Sequence, residues 1–162
     1  MFNYFWVIGQ KKVIPIGVGL NELLFKVHEH WLAIYIDRLP FDGAIHTKTI
    51  GFSGGSWLLW NSDRVEVTRL ASIEQEIHVL VKVRPLNISW LFSTVYASPR
   101  IAERLILWNN LISISVSNNL PWVVASDFNE PLLDSDKFGG KAISVNNSLL
   151  FKDYLDKCNR WT

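Results

Sequence analysis

The feature that most constrains the fold is a nine-residue run without a charged side chain, Ile88 to Tyr96. Its β-branched and aromatic residues predict a strand with both faces covered. Ser98 is then a predicted helix N-cap, Pro99 fits the first helical position, and a helical stripe follows. Trp122 to Ala125 predicts a second buried strand. A covered strand, a helix and another covered strand in succession indicate a layered α/β or α+β fold.

Shorter elements are predicted on both sides of this unit. Three strands are expected upstream, from polar–apolar alternation or from a short apolar run between turn residues: Ser56–Trp60, Arg64–Leu70 and Glu76–Val83. A second helix is expected at about Ser148 to Lys157. In the first fifty residues, Asn21 to His30 is compatible with a helix and Trp31 to Ile36 with a buried strand.

Composition limits the classes of protein to which this chain belongs. Its 162 residues fit one domain, and 49% hydrophobic residues with eight Trp are too apolar for a disordered chain. A formal net charge of +1 gives no basic signature, so composition alone proposes no nucleic-acid partner. Cys158 is the single cysteine, which excludes an internal disulfide and a cysteine-based zinc site.

Membrane and secretory classes are excluded by the length of the apolar runs. Val13 to Leu20 is the most apolar N-terminal stretch, and it is far shorter than the roughly 18 residues that span a bilayer. Met1 to Gly9 lacks the charged start of a signal peptide. We therefore expect an intracellular protein without a membrane partner.

The strongest local signal for chemistry is Asp127-Phe128-Asn129, at the end of the buried run. A carboxylate and an amide two positions apart on an extended segment face the same side, where open α/β sheets often bind ligands. Such a pair can orient a water and hold a phosphate or a metal. The alternative is that Asp127 and Asn129 cap the following loop, because both residue types favour turns. The local pattern by itself favours that alternative.

The other chemistry-bearing residues do not form a recognisable site. The four histidines, which lack the spacing of a metal-ligand set with carboxylates, are interpreted as single surface or interior residues: His28, His30, His46 and His78. Cys158 has no evident His partner and is interpreted as a small hydrophobic side chain.

Four segments in a fixed order carry a resemblance to a known family: Gly51–Trp60, Tyr96–Arg100, Pro121–Glu130 and Lys137–Gly140. This series closely resembles the endonuclease domain of plant non-LTR (LINE-type) retrotransposons. That family belongs to the endonuclease/exonuclease/phosphatase superfamily, which is related to DNase I and apurinic endonucleases. The resemblance is strongest over residues 40–158, within a single incomplete domain that spans residues 1–162.

The resemblance implies a fold, a reaction and roles for three residues. The fold would be a partial four-layer α/β sandwich with its C-terminal strands missing, and the reaction would be Mg²⁺-dependent cleavage of a phosphodiester. Tyr96 would donate to a phosphate oxygen, Asp127 would orient or deprotonate the attacking water, and Asn129 would fix their partners. DNA as partner and a nuclear location follow from the same resemblance.

The chain also departs from the family pattern. Val7 stands where the family has a site Asn, and Ile36 stands where it has the Glu that binds Mg²⁺. The family's C-terminal Asp-His pair is expected beyond Thr162. We therefore expect a catalytically inactive remnant that does not bind Mg²⁺. Two alternatives remain, namely an active hydrolase completed by sequence outside this chain and a non-enzymatic remnant that binds nucleic acid or protein.

Overall fold

The computed structural model describes residues 4–8, 23–27, 40–47, 56–84, 86–128 and 144–158. At 4–8, 23–27 and 127 it describes the backbone alone. The strands are β1 (Tyr4–Ile8), β2 (Leu23–Val27), β3 (Gly43–His46), β4 (Ser56–Trp60), β5 (Val65–Ile73), β6 (Glu76–Val83), β7 (Ile88–Tyr96) and β8 (Trp122–Asp127). The helices are α1 (Ile101–Ser117) and α2 (Val145–Cys158). Neither helix is both long and apolar enough to cross a lipid bilayer, so the described residues contain no candidate membrane-spanning helix.

These strands form two sheets. The larger sheet has the order β1-β8-β7-β6-β5, and the smaller has the order β2-β4-β3. Neighbouring strands in both sheets are antiparallel, except for β7 and β8, which are parallel. Parallel neighbours need a long crossover connection, and α1 lies in that connection. The unit β7-α1-β8 therefore brings two strand ends to the same edge of the sheet.

One hydrophobic cluster lies between the two sheets. β4 of the smaller sheet contributes Leu58 to this cluster. The larger sheet contributes alternate residues of its strands, and the buried ones are Val65, Ile77, Val79, Val81, Val83, Trp90, Phe92, Val123 and Ala125. The rings of Trp90 and Phe92 meet edge to face, with centroids 5.6 Å apart. Full burial of each such aliphatic or aromatic side chain contributes about 1.5–3 kcal/mol, so this cluster is a main source of stability.

A second hydrophobic cluster covers the opposite face of the larger sheet. Leu91, Val95, Trp122 and Val124 of the sheet pack against buried residues of the helices, which are Leu107, Trp108, Leu111, Phe151 and Cys158. The described layers are thus helices, sheet and sheet. This is a mixed α/β fold, as the sequence predicts.

The local elements agree with the sequence predictions in part. β4, β6 and β7 have the predicted bounds, whereas α2 begins at Val145 and β5 continues to Ile73. α1 begins at Ile101, so the prediction that Ser98 caps it is wrong. The Ser98 hydroxyl instead accepts a hydrogen bond from the Arg100 amide at 3.1 Å, which stabilises the turn before the helix.

The expected helix at 21–30 is also wrong. Leu23–Val27 forms strand β2 and pairs in antiparallel register with Ser56–Trp60. Partners supplied by a distant strand override a local helical pattern, because strand formation depends on its tertiary neighbours. The strand expected at Trp31 to Ile36 lies outside the described residues.

Irregular backbone occurs at two places in the β5-β6-β7 meander. The register of β5 against β6 shifts between Arg69 and Ala71, which marks a β-bulge. Asn87, in the turn between β6 and β7, has a φ of 51°. Asparagine adopts this left-handed conformation more readily than most residues, so the turn is compatible with its sequence.

Gly43 permits a close approach between β3 and β4. An alanine Cβ at this position would lie 2.0 Å from Cε2 of the Trp60 ring, well inside van der Waals contact. Gly43→Ala is therefore expected to lower the free energy of unfolding by about 1–3 kcal/mol, the usual cost of overpacking. Urea denaturation measures this change. Ala44→Ser, at the neighbouring exposed position, is the control, and an equal loss in both variants would contradict the prediction.

Candidate functional site

The candidate site lies where β7 and β8 end. β7 ends at Tyr96 and β8 ends at Asp127, and these two residues are partners in the parallel register. The sequence-predicted residues Tyr96 and Asp127 are therefore brought to the same edge of the sheet. Asn129 lies outside the described residues.

Contacts of the backbone and the ring hold Tyr96 at this edge. Its side chain is half-buried and packs against the cluster between the two sheets. Its amide donates a 2.9 Å hydrogen bond to the carbonyl oxygen of Gln75, in the turn between β5 and β6. The strand is thus anchored up to its last residue.

The segment that follows Tyr96 is held by two long side chains. Oε1 of Gln75 accepts a 2.7 Å hydrogen bond from the Ser98 amide, and its Nε2 donates to the Glu103 carbonyl at 3.1 Å. Arg104 Nη1 donates to the Ser98 carbonyl at 3.1 Å and to the Pro99 carbonyl at 2.9 Å. The turn between β7 and α1 is therefore tied both to the β5–β6 turn and to the helix.

Electrostatic contacts also order the start of α1. Hydrogen bonding to the Ser98 side chain, and then to Arg100, lowers the pKa of Glu103 below its ordinary value. Arg100 Nη1 lies 3.1 Å from Glu103 Oε1, and its side chain is 81% exposed. Because this ion pair is in water, it contributes little to stability.

A buried chain of polar side chains crosses the helix-facing side of the larger sheet. His78 Nδ1 lies 2.6 Å from Ser93 Oγ, and the Trp122 indole donates to the same oxygen at 2.8 Å. His78 Nε2 lies 2.9 Å from Glu76 Oε2, at ion-pair distance but without the alignment of a hydrogen bond. Asn110 of α1 donates to Glu76 Oε1 at 2.6 Å. We call these five side chains the buried polar chain.

The buried polar chain has a structural role. Glu76, His78 and Ser93 are at most 2% exposed, so no substrate reaches them in this conformation. Sequence reasoning did not find this chain, because Glu76 and His78 alternate with valine and isoleucine and resemble the solvent face of a strand. Their burial depends on α1, which covers that face.

The described residues do not fit a metal ion. No three His, Cys, Asp or Glu side chains lie close enough together within the described ranges to bind one. Glu76 and His78 are already engaged in the buried polar chain, and His46 stacks on Trp57 with ring centroids 4.6 Å apart.

Cys158 is a buried thiol. Burial raises its pKa to about 11, although a hydrogen bond with Ser115 lowers it slightly. At neutral pH the thiol is protonated and packs among the apolar residues of the helix-facing cluster, as the sequence predicts.

Comparison with solved structures identifies the fold. The human Nocturnin catalytic domain with bound sulfate anion superposes with a TM-score of 0.53 at 13% identity, over 68% of this chain and 52% of that domain. The mannosyl-6-phosphatase Bt3783 of Bacteroides thetaiotaomicron gives a TM-score of 0.52 at 13% identity, over 70% and 54%. The chain has the endonuclease/exonuclease/phosphatase fold. At this identity the likeness establishes the fold and not the activity.

The superposition covers only part of each solved structure. The chain spans about half the length of the two solved structures. An endonuclease/exonuclease/phosphatase family protein from the same bacterium superposes with a TM-score of only 0.46 at 14% identity, over 62% of this chain and 45% of that chain. This low score gives no further support to the fold. No protein-family model matches the chain. No curated protein matches it either.

Proposed function

We propose that this chain is part of a phosphodiesterase domain of the retrotransposon-endonuclease type, and that Tyr96, Asp127 and Asn129 form the edge that faces the scissile phosphate. The pairing of Tyr96 with Asp127 at the ends of adjacent parallel strands is the observation that carries this proposal. Paired positions in neighbouring strands share one face of a sheet, which supports a common target for the two side chains.

The residue types suit a phosphate ester. A tyrosine hydroxyl can donate to a non-bridging phosphate oxygen, and a carboxylate can orient or deprotonate an attacking water. One solved structure of this fold is described as a phosphatase, and another holds sulfate, an anion similar to phosphate in shape and charge. These neighbours support phosphate chemistry for a chain of this fold.

We also propose that these 162 residues do not cleave DNA by themselves. Val7 and Ile36 stand where the family that the sequence resembles has an Asn and a Mg²⁺-binding Glu. Val7 belongs to β1, directly beside β8, whereas Ile36 lies outside the described residues. Metal stabilisation of charge contributes several kcal/mol to catalysis, so its loss is expected to slow cleavage by roughly 10²- to 10⁴-fold.

Plasmid nicking with added Mg²⁺ or Mn²⁺ tests the loss of activity. We expect the wild-type chain to nick no faster than Asp127→Ala. Asp153→Ala is the matched control, because it removes an exposed carboxylate from α2 that pairs with Lys157. Nicking by the wild type and Asp153→Ala that is lost in Asp127→Ala would contradict inactivity and would favour an active hydrolase.

Duplex binding by the same proteins distinguishes the remaining alternative. Salt-dependent affinity that is lost in Tyr96→Phe, without nicking, would support a remnant that binds nucleic acid. The absence of both binding and nicking would count against a phosphodiester substrate for this edge.

A further inference from the structure

Gln75 connects three segments around the strand ends. Its backbone carbonyl accepts from the Tyr96 amide at 2.9 Å, and its side chain bridges the Ser98 amide and the Glu103 carbonyl at 2.7 and 3.1 Å. It lies in the turn between β5 and β6, whereas its partners are the end of β7, the following turn and the first part of α1. Gln75 therefore joins the β5–β6 turn to these three segments.

The segment that Gln75 contacts has local bonds, because the Ser98 hydroxyl accepts from the Arg100 amide at 3.1 Å and Arg100 pairs with Glu103, but these bonds lie within the segment and α1. Pro99 has no amide hydrogen, and Arg100 stands at the N-cap position of α1 without a side-chain capping bond. Arg104 binds two carbonyls of this segment, but it is itself part of α1. Gln75 is an anchor from a separate element, and it fixes the segment relative to the sheet.

We propose that Gln75 is a positioning residue that holds the Tyr96 end of β7 in place against the start of α1. The part of this inference that concerns phosphate binding rests on the proposed function. The ordering of the segment itself does not depend on it. Without the side chain of Gln75, the chain just after Tyr96 gains freedom, and the phenol samples more orientations.

The chemistry of the amide side chain makes this proposal specific. Glutamine offers an acceptor and a donor at once. The Ser98 amide needs the acceptor, and the Glu103 carbonyl needs the donor. A glutamate retains the acceptor for Ser98 but has no hydrogen for Glu103. An alanine retains neither. Three side chains at one position thus predict three different states of the segment.

Amide hydrogen exchange, measured by NMR on the full chain, tests the ordering. In Gln75→Ala the Ser98 amide is expected to exchange about 2- to 10-fold faster, which corresponds to the loss of one hydrogen bond. In Gln75→Glu its rate is expected to stay near that of the wild type. The buried β7 amide of Phe92 reports any change in global opening.

A matched control is available in the same turn. Glu74→Ala truncates the neighbouring exposed side chain, and it is expected to leave the Ser98 exchange rate unchanged. Unchanged Ser98 exchange in Gln75→Ala would overturn the proposal. So would equal acceleration in the alanine and glutamate variants, because the acceptor would then be irrelevant.

The Tyr96 ring provides a readout that a purely structural role would not change. Ring ¹³C relaxation without DNA is expected to show greater mobility of Tyr96 in Gln75→Ala than in Glu74→Ala, and equal mobility would overturn the positioning role. A short DNA duplex is then added. If the wild-type ring signal shifts and the shift is at least halved in Gln75→Ala, both proposals are supported. If the wild-type signal does not shift, the proposed function fails while exchange and relaxation still decide the role of Gln75.

Discussion

Replacement of His78 by leucine is expected to lower the free energy of unfolding by about 1–3 kcal/mol, because it leaves buried polar groups without a partner. His78 is 2% exposed and Glu76 is 1% exposed, so Glu76 would lose its partner without gaining water. Asn110 would remain as the donor to one carboxylate oxygen, while the other oxygen would face leucine. Ser93 would also lose its contact with His78.

Urea denaturation of His78→Leu, compared with the wild type at one pH, measures this loss as a lower midpoint at an unchanged slope. Lys82→Leu is the control, because it makes a similar replacement at an exposed position of the same strand and is expected to change stability by less than about 0.5 kcal/mol. The double variant Glu76→Leu/His78→Leu is expected to recover part of the loss, since no carboxylate is then left without a partner. A loss below about 1 kcal/mol in the single variant would contradict a stabilising role for this pair.

Trp108→Ala is expected to destabilise the chain by about 3–5 kcal/mol, as is typical when a large buried aromatic residue is truncated. Trp108 is 1% exposed, and its ring stacks on Phe151 with centroids 5.3 Å apart. Its ring centroid also lies 5.1 Å from that of Tyr154. Because Phe151 and Tyr154 belong to α2, the truncation would remove the main aromatic contact between the two helices.

The matched control for Trp108→Ala is Ile106→Ala on the same helix. Ile106 is 61% exposed, so its truncation is expected to change the free energy of unfolding by less than about 0.5 kcal/mol. Both variants are compared by urea denaturation, and near-UV circular dichroism reports the packing of the aromatic rings. A similar small effect in both variants would mean that α2 is not held by this ring stack.

The strands of the larger sheet were predictable where a single pattern dominates. Ile88–Tyr96 has the predicted bounds because its residues favour a strand and both of its faces are covered. β2 was not predicted, because Leu23–Val27 becomes a strand through its pairing with β4. Pairing between distant segments does not leave a local pattern, so the order of the strands also required the structure.

Some residues of the candidate site could likewise be predicted from the sequence, and others only from the structure. Tyr96 and Asp127 were found through the resemblance of their surrounding segments to a known family, and the register between them came from the structure. Gln75 was not found, because its side-chain partners lie 23 and 28 residues away along the chain. The buried polar chain was missed for a similar reason, since α1 decides that Glu76 and His78 are covered.

The β-bulge in β5 affects how the larger sheet meets other molecules. β5 pairs with β6 alone in the part of the chain that is described, so its other side is an edge of the described sheet, where a strand from another chain would add. The register shift at Arg69 interrupts the regular spacing of those groups. The exposed charges of Glu66 and Arg69 must also be accommodated by any added strand. This edge therefore disfavours the strand-by-strand growth from which fibrous aggregates form.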